Sequence, residues 1–239
     1  MSSEAHAAVA EADGHDDHAH GHHGPKWLAH HFDTPAQQFD TAKLGMWAFL
    51  GQELLFFSGL FVAYGVYRSW YPEMFKLASH QLDKIMGATN TVVLLFSSFT
   101  AAMAVRSSQL GKQKATGNFI LVTIGCACIF LVVKFFEYKH KVEGGLLPGR
   151  FYHPHLSHLA PGAEHLPANT GSFFSIYFMM TGVHGLHVAV GIGVLIWIWL
   201  RNRRGDFSKE YFTPVDIVAL YWHLVDLVWI YLFPLLYLI

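Results

Sequence analysis

The sequence predicts an all-α integral membrane protein, a bundle of five transmembrane helices. Composition is the first reason: 53% of the residues are hydrophobic, 14% are charged, and the mean hydropathy is +0.30. The second reason is the run 172–200, which contains no Lys, Arg, Asp or Glu and exceeds the roughly 20 residues that cross a bilayer. Small residues recur along one side of this run, so we expect another helix to approach it closely. They are Gly182, Gly185, Ala189 and Gly193.

Five apolar segments are long enough to span a membrane. We place them at about 44–67, 85–105, 117–138, 172–200 and 215–237, within one transmembrane domain 41–239. An odd number of spans puts the two termini on opposite sides. The loops after the second and fourth spans are rich in Lys and Arg, which is typical of cytoplasmic loops. We therefore expect a multi-pass protein of a bacterial inner membrane, with a cytoplasmic N-terminus and a periplasmic C-terminus.

Residues 1–40 form a His-rich segment with no cationic stretch followed by an apolar core, so we do not expect a secretory signal. Low hydrophobicity favours a disordered cytoplasmic tail. Weak binding of copper, zinc or nickel is the alternative. Trp27 is a candidate anchor at the membrane surface. The long connection 139–169 is also rich in His, and we expect it on the opposite side of the membrane.

Two other patterns narrow the function. The net charge of −1 gives no reason to expect a nucleic-acid partner. Cys126 and Cys128 are two residues apart on a predicted helix, so they point in different directions and cannot hold a metal together. We expect two buried, inert thiols. Lys134 and Glu137 fall in the last turn of the third predicted span.

Ionisable groups inside the spans need a partner or a purpose, because each costs about 2.5–3.5 kcal/mol at membrane depth. Glu53 lies near the middle of the first span. It either takes part in proton movement or is a neutral hydrogen-bond donor to a neighbouring helix. His184 and His187 are three residues apart on one helix face. Haem ligands usually come from different helices, so we predict no metal centre held by this chain alone.

The last span carries Asp216, His223 and Asp226 within about 80° on a helical wheel. His223 and Asp226 are three residues apart, which allows a hydrogen bond within the helix. Such a pair can hold an imidazole tautomer. The alternative is a polar seam between helices.

Five segments together resemble subunit III of the haem-copper terminal oxidases. They cover the chain from about residue 40 to its end, in the family's order. They are KLGMWAFLGQELLFFSGLF from Lys43, NTVVLLFSS from Asn90, FFEYKHK from Phe135, GSFFSIYFMMTGVHGLHV from Gly171 and YWHLVDLVWIYLFPLLY from Tyr221.

The resemblance implies a five-helix bacterial form, corresponding to the last five helices of the subunit III fold. It implies an accessory, non-catalytic subunit of an aerobic proton-pumping cytochrome c oxidase, with haem and copper in partner subunits. Such a subunit packs on subunit I, stabilises the oxygen-reducing centre, supports proton uptake and binds structural phospholipid. The His-rich tail and long loop are not part of the family's pattern.

The resemblance also implies roles for single residues. Glu53 falls on the family's reactive membrane glutamate. Other buried polar positions of the family fall on Glu137, His184, His187, His223 and Asp226. A basic loop that meets lipid phosphates falls on Arg201, Arg203 and Arg204, whose guanidinium groups suit such a ligand.

Several alternatives stay open from the sequence. The same helices could serve a quinol oxidase or a nitric oxide reductase, since the electron donor binds other subunits. A small membrane redox enzyme with its own haem or metal is a different class. A proton-coupled carrier built around Glu53 is another, although no internal repeat supports it. Membership of a respiratory supercomplex is also left open.

Overall fold

The computed structural model describes residues 27–149, 152–153 and 169–239. These residues form six α-helices and no strand; the only β-type contact among them is an isolated bridge between Leu146 and Tyr152. Five of the helices are long and apolar enough to cross a membrane, which confirms the predicted fold class. The helices are α1 Pro35–Trp70, α2 Pro72–Ser79, α3 Lys84–Gln109, α4 Gln113–Glu143, α5 Thr170–Arg203 and α6 Thr213–Tyr237.

The long helices contain the predicted spans and extend beyond them, because hydropathy locates only the apolar part of a helix. α1 begins at Pro35, inside the predicted tail, where Thr34 caps it by accepting a hydrogen bond from the Gln37 amide at 3.2 Å. α4 continues to Glu143, so the prediction that Lys134 and Glu137 lie in a last turn was wrong. Residues 1–26 and most of the connection between α4 and α5 lie outside the described residues.

Helices α3 to α6 form the main core of the bundle, with α6 packed against α3 and α5. Trp222 and Trp229 on α6 are fully buried at its centre. α1 contacts α6 more than α5, and it buries only one narrow stripe of its surface. This stripe consists of Met46, Leu50, Phe57 and Tyr64. The position of α1 at the edge of the bundle leaves space between α1 and α5.

Gly191 makes the closest approach between α5 and α6. A Cβ atom at this position would lie 2.7 Å from the Trp222 ring, so only glycine fits. Gly185 and Gly193, from the predicted small-residue stripe, have no heavy atom within 4 Å of such a Cβ among the described residues. The close packing inside this chain therefore uses a different glycine, and part of the predicted stripe stays open.

Two short segments complete the ends of the bundle. α2, which the sequence analysis did not predict, buries Met74 and Phe75 against the end formed by α1 and α5. Trp27 stacks on Tyr211 in the loop between α5 and α6, with ring centroids 5.0 Å apart. The start of the described chain therefore lies on the same side as the Arg-rich loop.

Candidate functional site

Glu53 and His187 meet between α1 and α5. The Glu53 carboxylate Oε2 lies 3.0 Å from His187 Nε2, and the two side chains are only 13% and 18% exposed. Phe57 packs against the imidazole, with ring centroids 5.0 Å apart. Tyr221 donates a hydrogen bond to the His187 carbonyl oxygen at 3.0 Å. Glu53 therefore has a titratable partner, which the sequence analysis had not identified.

The second ring nitrogen of His187 determines how the pair shares its proton. His187 Nδ1 lies 2.8 Å from the Val183 carbonyl oxygen. A carbonyl oxygen only accepts, so Nδ1 carries a hydrogen. One further proton then lies between Nε2 and Oε2. The pair is either glutamic acid with neutral imidazole or carboxylate with imidazolium, and both arrangements have zero net charge. The pair can thus hold a proton within the bundle without a net buried charge.

The pair lines an apolar cleft of about 370 Å³ between α1, α5 and α6. Its walls include Met46, Phe49 and Val194. A second cleft of about 310 Å³ lies between α1 and α5, nearer the end of the bundle that α2 covers. Apolar walls with a single polar pair are chemically suited to a hydrocarbon chain.

His184 does not share a site with His187. His184 is fully buried between Phe130 and Trp229, with ring centroids 5.5 and 5.3 Å away, whereas His187 faces α1. Neither ring nitrogen of His184 has a hydrogen-bond partner among the described residues. A rotation of about 60° along one helix is enough to place the two rings in different interfaces. Within the described part of the chain, no three His, Cys, Asp or Glu side chains form a potential metal site.

The two cysteines point apart as predicted, but only one is buried. Cys126 lies inside the bundle, whereas Cys128 is exposed on the outer surface of α4. The prediction of a buried thiol at Cys128 was therefore wrong, because the apolar run around it faces the lipid as well as the core.

Glu137 lies in a second buried cluster, which connects α4, α5 and α6. Its Oε2 accepts a hydrogen bond from Lys134 Nζ at 2.9 Å, and its Oε1 accepts from Tyr237 and Tyr177 at 2.6 and 2.9 Å. Lys134 also donates to Tyr237 at 2.8 Å and lies 4.8 Å from the centroid of the Trp229 ring. Lys134 and Glu137 are 7% and 2% exposed. The sequence analysis missed this pairing, although the Lys-x-x-Glu spacing on one helix could have indicated it.

His223 and Asp226 each meet a serine of α3 instead of forming a printed pair with each other. His223 Nδ1 lies 2.7 Å from Ser98 Oγ, and Asp226 Oδ2 lies 3.4 Å from Ser97 Oγ. Asp216 lies apart from them and pairs with Lys43 of α1 at 3.3 Å. This arrangement favours the polar seam between helices over a pair within one helix.

The arginines at the end of α5 are held by aromatic rings. Arg201 pairs with Asp206 at 2.9 Å and lies 5.2 Å from the centroid of the Trp197 ring. Arg203 lies 5.0 Å from the Trp199 ring centroid. Arg204 is the exposed residue that follows the helix. Arg203 and Arg204 are therefore the more accessible candidates for an anionic group.

The fold and these paired ionisable groups define a polytopic helical membrane protein with a polar interior. The model of the family "Cytochrome c oxidase subunit III" matches residues 165–239. The "Cytochrome c oxidase subunit 3" of Synechocystis sp. is 32% identical over 226 residues, covering 92% of this chain and 80% of the relative. The "Probable quinol oxidase subunit 3" of Staphylococcus aureus is 26% identical over 207 residues, covering 87% and 93%. The chain belongs to the cytochrome c oxidase subunit III family, which confirms the resemblance.

Proposed function

We propose that this chain is the accessory subunit III of an aerobic, proton-pumping cytochrome c oxidase. The observation that carries the proposal is the 32% identity to a "Cytochrome c oxidase subunit 3" along 92% of the chain. In this proposal the chain packs on the catalytic subunit I and stabilises the oxygen-reducing centre. Haem and copper belong to the partner subunits, and this chain has no redox chemistry of its own.

The open part of α5 supports close packing on another membrane protein. Gly185 and Gly193 leave space for a neighbouring backbone, and the described chain does not fill that space. We place a transmembrane helix of a partner subunit there. Packing along small residues, and not ion pairs, would supply most of the binding.

The Glu53–His187 pair is the part of the site that would support proton uptake. The pair has zero net charge with its shared proton, so a proton can move between the two residues without creating a net buried charge. Phospholipid is the second proposed ligand. Its hydrocarbon chains match the apolar cleft beside the pair, and Arg203 and Arg204 suit its phosphate.

We propose that the N-terminus is cytoplasmic and the C-terminus periplasmic, in a bacterial inner membrane. The contact between Trp27 and Tyr211 supports this orientation, because it joins the start of the described chain to the Arg-rich loop after α5. Five spans then carry the end of α6 to the opposite side.

A quinol oxidase is the second candidate, and the relative in Staphylococcus aureus favours it. The proposed role of the chain is the same in both cases. The two candidates differ only in the electron donor, which would bind a partner subunit.

The test is purification from the native membrane in mild detergent through an affinity tag on this chain. We expect oxidase subunits to co-purify and the complex to give haem bands in a reduced-minus-oxidised spectrum. The chain stripped of its partners is the control and should give none. Oxidation of reduced cytochrome c or of quinol by the complex then identifies the donor. A haem retained stoichiometrically by the stripped chain would contradict the proposal and point to His184, His187 and His223 as ligands.

A further inference from the structure

The edge between α3 and α6 carries polar contacts that the proposed function does not use. Asp226 is 2% exposed, and its Oδ2 lies 3.4 Å from Ser97 Oγ. The Ser98 hydroxyl interacts with the same carboxyl group and lies 2.7 Å from His223 Nδ1. His223 itself is half-buried. The contacts thus lead from a buried acid to an imidazole at the edge of the bundle.

The surroundings of Asp226 indicate a neutral carboxylic acid. No basic side chain in the described part of the chain forms an ion pair with it, and its Oδ1 has no hydrogen-bond partner there. A carboxylate buried without a cation or strong donors is very costly. Ser97 cannot supply a strong donor, because its hydroxyl donates to the Leu94 carbonyl oxygen at 2.8 Å and accepts from Trp222 Nε1 at 3.0 Å. Asp226 is therefore the donor towards the serines.

This direction determines the tautomer of His223. If Ser98 accepts from the acid, its own hydrogen points to His223 Nδ1. An accepting Nδ1 carries no hydrogen, so the hydrogen of the neutral imidazole is on Nε2. No described residue bonds to Nε2. The edge of the bundle consequently presents one N–H donor near the middle of α6, and lipid hydrocarbon offers no acceptor at that depth.

We propose that His223 Nε2–H docks a transmembrane helix of a partner subunit that presents a hydrogen-bond acceptor at mid-membrane depth. The acceptor is a hydroxyl, a carboxylate or a backbone carbonyl freed by a local break in the helix. Apolar surface next to His223 would complete the interface. Leu227 and Tyr231, one and two turns further along α6, are 45% and 58% exposed. This inference rests on the proposed function, because it assigns a docking face for the oxidase partner.

Photo-crosslinking in the intact complex tests the docking face. A crosslinking amino acid replaces Leu227, beside His223, or Val132 on the exposed surface of α4 as the matched control (53% exposed). We expect a crosslink to an oxidase subunit from position 227 at a clearly higher yield than from position 132. Equal yields, or none from position 227 in a complex that still purifies whole, would overturn the inference. Failure of any oxidase subunit to co-purify would instead refute the proposed function.

Substitutions at His223 test the hydrogen bond itself. His223→Leu removes the donor, and we expect partner subunits to dissociate about three- to ten-fold more readily in detergent. His223→Gln keeps an N–H donor and should stay near wild type. The unfolding midpoint of the stripped chain separates binding from stability. If that midpoint falls as far as partner retention does, the role of His223 is internal and the inference fails.

Nitrogen-15 NMR of the histidine rings in the complex tests the direction of the contacts. The His223 signals are assigned by their loss in His223→Gln. We expect an unprotonated Nδ1 and a protonated Nε2. A protonated Nδ1 with an unprotonated Nε2 would reverse the direction and overturn the assignment of a donor at this edge.

Discussion

Two acid–base pairs lie inside this bundle, and they are packed in opposite ways. The Lys134–Glu137 pair lies in the main core between α4, α5 and α6, where both Glu137 oxygens accept hydrogen bonds. The Glu53–His187 pair lies where α1 meets α5, with one contact between the two side chains and an apolar cleft beside it. Glu137 is 2% exposed, whereas the Glu53 side chain is 13% exposed.

The difference shows two ways of keeping a carboxyl group within a membrane. Glu137 is surrounded by an ammonium group and two phenol hydroxyls, which stabilise its negative charge in one place. Glu53 shares a single proton with His187, so the pair has zero net charge wherever that proton lies. The first arrangement fixes three helices relative to each other. The second leaves a proton that can move, next to a space that another molecule can enter.

The strongest way to break this comparison is to remove one member of the core pair. We expect Lys134→Met to lower the free energy of unfolding by about 3–5 kcal/mol, because it leaves the Glu137 charge buried without its cation. Thermal unfolding in detergent and the yield of folded chain measure the effect.

The double variant Lys134→Met with Glu137→Leu is the control for that prediction. Removing both charges should recover part of the lost stability, since no charge then stays unpaired. Recovery would be incomplete, because the hydroxyls of Tyr177 and Tyr237 lose their acceptor. A single Lys134 variant as stable as wild type would show that the pair does not hold the core together.

A substitution without charge tests whether the core is tighter than the edge of the bundle. We expect Gly191→Ala to cost about 1–3 kcal/mol, because its Cβ would meet the Trp222 ring at 2.7 Å. Gly193→Ala on the same helix is the matched control and should be nearly neutral in the isolated chain, since no described atom lies within 4 Å. Unfolding midpoints of the two variants make the comparison. Similar losses in both would mean that helix propensity, and not packing, decides.

The sequence predicted the fold better than it predicted the packing. Uncharged runs of more than 20 residues must be satisfied by internal hydrogen bonds in lipid, so all five spans were correct. Helix ends were not, because α4 continues through Lys139 to Glu143, where hydropathy gives no signal. The short helix α2 was missed for the same reason. Which glycine meets which helix depends on rotation about each axis, and a change of two residues separates Gly191 from Gly193.

Single positions in the site were predictable, but their partners were not. Burial cost marks Glu53, His187 and Asp226 as residues that need partners, whatever the fold. The partners come from distant segments: Glu53 meets His187 134 residues away, and His223 meets Ser98 125 residues away. Only the pair within one helix, Lys134 with Glu137, had a spacing that the sequence could reveal. The roles of these residues in proton uptake stay predictions.

The smallest expected effect on stability is at the edge of the bundle, and it separates charge from hydrogen bonding in the Glu53–His187 pair. Glu53→Gln should change the free energy of unfolding and the retention of partner subunits by less than about 0.5 kcal/mol, because the amide donates to His187 Nε2 as the acid does. Glu53→Leu should cost about 1–3 kcal/mol, since Nε2 then loses its partner in an apolar setting. Unfolding midpoints and subunit retention of the two variants decide between the explanations. If Gln is as damaging as Leu, a carboxylate paired with imidazolium holds α1 to α5, and this pair resembles the Lys134–Glu137 pair in the core.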